Sequence, residues 1–442
     1  MPIDRFFKDF SPQPLEGGDA NYVDLFKVRG SNPIKSLARK LVAGPIAKQH
    51  ILFSGFTGCG KSTELNKLSK HLIDEHDFII IHLDIIEDID PINVTYVELL
   101  PLAMQKLFYA AHLHKIKIDT DLLDTILHWK DDKEIEKVKE FTKSAEAEAG
   151  TEAKYSLLGF FKFYGGLTAS MSTSRAAKET ITSIIEPRLS DLINHCNDLI
   201  KEIKQNLEEA NKKGLLIIIE NMDKLSRERS ENLFYDHNNV LTALKANIIY
   251  TFPIALRHSD KYNIISGKFN NSVKLPMVKV FEKSEGNIYK PGRDALLEVI
   301  LKRANEKDFE SKALIYEFIE MSGGVMRDLF RLLISASDNA LNNDRETITE
   351  IDYKYAVNNL KSDYEYTLAE RRSENDEDII ISIEEIYATL KKLAESKTKT
   401  IDNNLVTLSL LQNLSILGYN GDNWYDVHPI VKDILTERKI LN

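Results

Sequence analysis

The chain has 442 residues, 43% of them apolar and 29% charged, with 58 Lys plus Arg against 68 Asp plus Glu for a net charge of −10. The length predicts about three domains with real cores, and the acidic balance excludes a basic protein held on nucleic acid by phosphate contacts alone. Two cysteines, Cys59 and Cys196, exclude a disulfide framework; no apolar run approaches the ~20 residues that span a bilayer, and the N-terminus lacks the pattern of a signal peptide, so a cytoplasmic protein without membrane contact is expected.

In chain order, residues 50–54 read as a strand, followed by a Gly-rich turn and a helix to about residue 71. A second, Ile-rich run covers 78–85, and 92–115 have helical spacing. Residues 142–178 break this rhythm: an Ala/Glu-rich start leads to an aromatic patch that includes Tyr155, Phe160, Phe161, Phe163 and Tyr164. We read this as an insertion leading into a long helix over 178–212. Aliphatic runs return at 215–219, 247–252 and 272–280. Continuous β-branched runs bounded by turn residues predict buried parallel strands, and their alternation with helices predicts an α/β domain over 1–290. Helices dominate 291–368, with a break at Gly323-Gly324. Residues 379–442 read as three helices, a short hairpin turning at Asn420-Gly421-Asp422, and a last helix. Helices followed by a two-stranded wing predict a winged-helix domain.

The strongest motif is Gly55-Phe56-Thr57-Gly58-Cys59-Gly60-Lys61-Ser62, a full match to GxxxxGK[ST] between strand and helix, with Thr63 next. Glycines let backbone N–H groups wrap phosphates, and the helix N-terminus adds partial positive charge. Lys61 is placed to reach the β- and γ-phosphates and Ser62 to ligate Mg²⁺. Cys59 reads as a small residue at a variable position. The second motif is Leu215-Leu216-Ile217-Ile218-Ile219-Glu220-Asn221-Met222-Asp223. An aliphatic strand ending in an acid sets a carboxylate, here Glu220, opposite the phosphate loop, where it can hold the metal through water. Asn221 stands where an acid usually polarises water. It cannot take a proton, so Asp223 is the candidate for that role.

With these motifs the sequence resembles a prokaryotic AAA+ ATPase of the origin-recognition-complex-like type, neighbouring the STAND P-loop NTPases. The resemblance covers most of the chain. It includes residues 22–30, Glu64-Leu65 after the loop, Asp223-Lys224-Leu225 and the C-terminal pattern. It implies a 5-1-4-3-2 sheet, a helical lid, and ATP or ADP with Mg²⁺ in the cleft between them, with residues 22–30 helping to hold the adenine. It also implies a polar sensor at the end of the strand after Glu220, where Thr251 fits and Asn247 is the alternative. A lid arginine reaching the γ-phosphate is implied at Arg327, and an arginine finger acting on a neighbouring subunit at Arg257. The Glu220-Asn221 departure implies slow hydrolysis.

Residues 371–442 carry nine Lys or Arg and twelve Asp or Glu, and no basic residue stands in the wing turn. A wing that reads DNA brings cations to phosphates, so this unit is expected to contact protein. The function expected is an ATP-binding regulatory switch and slow ATPase that controls its own oligomerisation or a protein partner, with a defence or mobile-element setting suggested by analogy alone. The alternatives are an ATP-dependent DNA-binding factor and a nucleotide-bound scaffold that does not turn over.

Overall fold

The computed structural model describes residues 2–89, 94–119, 121–122, 179, 182–183, 185–283, 287–372, 379–419 and 424–441. The insertion at 142–178 and the wing turn at 420–423 lie outside the described residues.

Four largely apolar runs and a short, partly exposed edge strand form one parallel sheet: β1 (Gln49–Ser54), β2 (Phe78–Asp84), β3 (Gly214–Glu220), β4 (Asn247–Phe252) and, at the edge, β5 (Asn271–Lys274). Their spatial order is β2-β3-β4-β1-β5, which read from the other edge is the expected 5-1-4-3-2. Both faces are covered, which is why the strands are apolar without alternation. Ile51, Phe53, Leu216, Ile218 and Ile249 face one hydrophobic cluster, and Leu52, Leu215, Ile217, Ile219 and Ile248 face the other. The last strand is shorter than the 272–280 run. It ends at Lys274, and Leu275, Met277, Val278 and Val280 are buried in the cluster that also holds the lid instead of pairing in the sheet.

The helices that matter for the site are α1 (Pro33–Ala43), α2 (Lys61–His76), α3 (Tyr96–Leu113) and α4 (Leu189–Gln205). The helix expected over 178–212 thus has a regular part of 17 residues. Helix α3 starts on a capping box in which Thr95 and Glu98 satisfy each other's backbone N–H groups. Two short helices leave the sheet, α5 (Arg227–Glu231) after β3 and α6 (Ile254–Arg257) after β4.

The segment expected as the lid folds as four helices, α7 (Lys290–Leu301), α8 (Lys312–Met321), α9 (Met326–Asn342) and α10 (Glu350–Thr367). A Gly pair breaks α8 from α9 because both residues sit at positive φ, 59° for Gly323 and 86° for Gly324. The C-terminal unit opens with a two-stranded ladder of β6 (Arg371–Arg372) and β7 (Ile379–Ile381). There follow α11 (Ile383–Glu395), α12 (Leu405–Gln412), a hairpin of β8 (Ile416–Tyr419) and β9 (Trp424–Val427), and α13 (Pro429–Glu437). Two helices, rather than the three expected, precede the hairpin. Residues 396–404 are a loop, turned at Lys399 by a φ of 52°. The buried Lys399 ammonium holds this loop down by bonding the Ala394 carbonyl at 2.8 Å and Asp426 at 3.1 Å. Among the described residues no helix is long and apolar enough to cross a membrane.

Candidate nucleotide site

A cleft of about 570 Å³ opens where the phosphate loop meets the N-terminal segment and the lid. That is a volume suited to a small-molecule ligand. Strand β1 ends at Ser54, and the loop turns into α2 through Gly58 and Gly60, at φ 74° and 95°. A Cβ on Gly58 would come within 2.7 Å of the Arg327 Cβ, so the loop lies directly against the start of α9.

Lys61 donates to the carbonyls of Gly55 and Phe56, both at 2.9 Å, and pairs with Asp223 at 2.9 Å. Burial alone would lower the ammonium's pKa. The Asp223 carboxylate outweighs it and holds the amine above its ordinary value, so Lys61 is charged. The loop is braced from the N-terminal side by Arg29, which donates to the Cys59 carbonyl at 2.7 Å and lies 3.6 Å from Glu64. Tyr22 also donates to Glu64, at 3.2 Å. Burial raises Glu64 above the usual carboxylate range despite the pull of Arg29.

Asn221 occupies the left-handed region at φ 64°, a conformation asparagine tolerates better than most residues. From there its amide donates to both oxygens of Asp84, at 2.7 and 2.6 Å. Asp84 ends β2 and is the register partner of Glu220. The residue that cannot take a proton therefore positions a carboxylate. Glu220 lines the same cleft, and its Oε1 is buried with no hydrogen-bond partner among the described residues. With the Ser62 hydroxyl nearby in the lining, these hard oxygen donors fit a Mg²⁺ ion.

The cleft thus brings together Thr57, Gly58, Cys59, Gly60, Lys61, Ser62 and Thr63 with Glu220, Asp223 and Arg327. Thr63 also accepts from the Leu15 backbone N–H at 3.1 Å, tying the N-terminal segment to the loop. Gly55 and Phe56 shape the loop without lining the cleft. The Phe56 ring is fully buried, and a Cβ on Gly418 of the C-terminal hairpin would lie 3.1 Å from it.

Thr251 does not reach the cleft lining. Its buried hydroxyl accepts from Met222 N–H at 3.0 Å, which fixes the chain leaving β3. Asn247 lies at the opposite end of β4, bonded to the Gly44 and Pro45 carbonyls. Arg257 is also outside the cleft. It donates to Ser272 at 2.6 Å and sits 5.1 Å from the Tyr262 ring centroid.

Sequence reasoning missed Asp84 and the lid wall. Arg303 is buried, donates to the carbonyls of Asn21 and Val299 at 3.1 and 3.0 Å, and lies over the Phe330 ring. An acid closing the Ile-rich β2 run was the available signal for Asp84.

The model of the KAP family P-loop domain matches residues 31–252, just over half of the 442. The chain belongs to the KAP P-loop family. The P-loop NTPase identity read from the phosphate loop is borne out, and the family match narrows it to a group the sequence reading did not name. No curated protein matches the KAP chain. Solved structures similar to it include Aeropyrum pernix ORC2 in its ADPNP–ADP complexes, at 11% identity and TM-score 0.41, with 99% of each chain covered. Another is Aeropyrum pernix ORC1 in complex with DNA, at 11% and 0.40, covering 96% of this chain and 95% of that one. A third is the Thermotoga maritima RuvB Holliday junction branch migration motor, at 11% and 0.35, covering 94% and 95%.

Proposed function

We propose that the chain is an ATP-binding regulatory switch and slow ATPase, in which nucleotide in the cleft sets the contact between core, lid and C-terminal unit. One observation carries this reading: the start of α9 touches both ends of the relay. Arg327 sits against Gly58 of the phosphate loop. In the glycine turn that leads into α9, the Gly323 carbonyl accepts from the buried Tyr419 hydroxyl of the hairpin at 2.8 Å. Immediately after Arg327, Asp328 accepts from Tyr364 at 2.7 Å and lies 3.3 Å from His428 of the C-terminal unit. Burial would raise Asp328, but the His428 and Tyr364 contacts overcome it and hold the carboxyl below its usual range. A displacement of α9 by a γ-phosphate at Arg327 would therefore be felt at both Tyr419 and His428.

In this reading Lys61 and the loop N–H groups hold the phosphates. Ser62 and Glu220 would hold Mg²⁺, which when bound would supply positive charge beside the phosphoryl oxygens. Asp223 leaves Lys61 when nucleotide arrives and orients the attacking water. Thr251 keeps the β3 exit in place, and Arg257 serves the site of a second copy. The helix–helix–hairpin–helix unit acts as a winged helix that contacts protein rather than DNA, in keeping with its net negative charge.

The test is the native mass of the full chain with ADP and with a non-hydrolysable ATP analogue, each with Mg²⁺. One nucleotide per chain is expected in both states, with a larger assembly only with the ATP analogue. No nucleotide in either state would remove the reading.

A further inference from the structure

A second cavity, of about 520 Å³, lies between the core and the C-terminal unit and shares no lining residue with the nucleotide cleft. Its core side is built from α5, which follows the β3 exit, and from Pro253, Leu256 and Ser259 around α6. Its other side is the β6–β7 ladder and α12. Leu256, Ile381 and Leu408 give it a buried apolar floor.

Two polar side chains line the same cavity. Ser230 is 1% exposed, and its hydroxyl has no hydrogen-bond partner among the described residues. A buried hydroxyl without a partner is costly, and this one lines the cavity. At the exposed side, Arg371 has no carboxylate partner among the described residues, whereas Arg227 is engaged by Glu231 at 2.7 Å and Arg372 is engaged by Glu370. Glu231 is doubly neutralised, by Arg227 and by Lys261. The lining carboxylate whose charge is not met by these pairs is Glu228, which has an interaction of its own.

We propose that this cavity binds a small organic anion with an apolar body, its head met by Arg371 and the Ser230 hydroxyl and its body lying on Leu256, Ile381 and Leu408. The volume falls in the range of small-molecule sites, which are largely apolar with a few convergent polar groups. The site lies one hydrogen bond from the β3 exit, since Gln412 of α12 donates to the Leu225 carbonyl at 3.2 Å. A ligand here would thus bear on the segment that carries Asp223. That consequence rests on the proposed switch, but the binding itself does not.

The probe is 1-anilinonaphthalene-8-sulfonate, titrated by fluorescence into the folded full chain at saturating Mg-ATP, with circular dichroism as the fold control. One saturable site is expected. Its affinity should fall at least ~10-fold in Arg371→Glu, which reverses the head-group charge at an exposed position, and in Leu408→Trp, which fills the floor. Because Mg-ATP already fills the nucleotide cleft in this titration, binding under these conditions separates this site from that cleft, and Arg371→Glu, far from the phosphate loop, separates it from the switch reading. Arg371→Glu alone decides the matter if Leu408→Trp does not fold. Unchanged affinity in Arg371→Glu, or no saturable probe binding to the wild type while Mg-ATP fills the nucleotide cleft, would overturn the proposal.

Discussion

Lys61→Ala is expected to lower ATP affinity by at least ~100-fold, since charge-assisted hydrogen bonds contribute about 1.5–3 kcal/mol each and this ammonium is placed to make more than one. The same substitution should lower thermal stability, which the sequence alone does not suggest. A phosphate-loop lysine reads as an exposed cation, yet Lys61 is 8% exposed and closes a 2.9 Å ion pair with Asp223. Removing one partner of a buried pair leaves an uncompensated charge, at roughly 3–5 kcal/mol. The two effects separate in a double variant. Lys61→Ala with Asp223→Ala should regain most of the lost melting temperature and none of the lost affinity. Wild-type affinity in either variant, measured on folded protein, would remove Lys61 from the phosphate site.

Asp223→Asn is expected to slow phosphate release by ~100-fold or more, the scale of a lost general base, while nucleotide binding is retained. The side chain keeps its shape but loses the charge that pairs with Lys61 and the basicity that water activation needs. Asn221→Gly is the informative comparison. Glycine accepts the φ of 64°, so this change removes only the amide that grips Asp84. A smaller loss, on the order of 10-fold, is expected, because Asp84 remains while its orientation loosens. A larger loss in Asn221→Gly than in Asp223→Asn would transfer the water-activating role to Asp84.

The fold was legible because its signals are local. Runs of β-branched residues at β1 to β4 and the GxxxxGK[ST] spacing dictate strand, turn and helix without reference to distant parts of the chain. What escaped were features made by long-range packing. Arg29 lies in a segment singled out for the base. Nothing local says that its guanidinium reaches the Cys59 carbonyl, 30 residues on. Asn221 looks like a lost acid in the sequence, and becomes a positioning group only when the sheet sets Asp84 opposite Glu220. Thr251 shows the converse. The right residue type stands at the end of β4, but the backbone of the β3 exit engages its hydroxyl. The end of β5 and the loop at Lys399 depend on partners in the lid and in β9, which periodicity does not register.

The most direct measurement is hydrogen–deuterium exchange of the full chain without nucleotide, with Mg-ADP, and with Mg²⁺ and a non-hydrolysable ATP analogue. Exchange reports local opening free energies along the backbone. It follows residues 55–63 of the phosphate loop, 323–331 at the start of α9 and 416–428 of the C-terminal hairpin in one experiment. A switch relayed through α9 predicts that all three segments change together between the ADP and ATP-analogue states. Changes confined to 55–63, with 323–331 and 416–428 identical in the two nucleotide states, would contradict it.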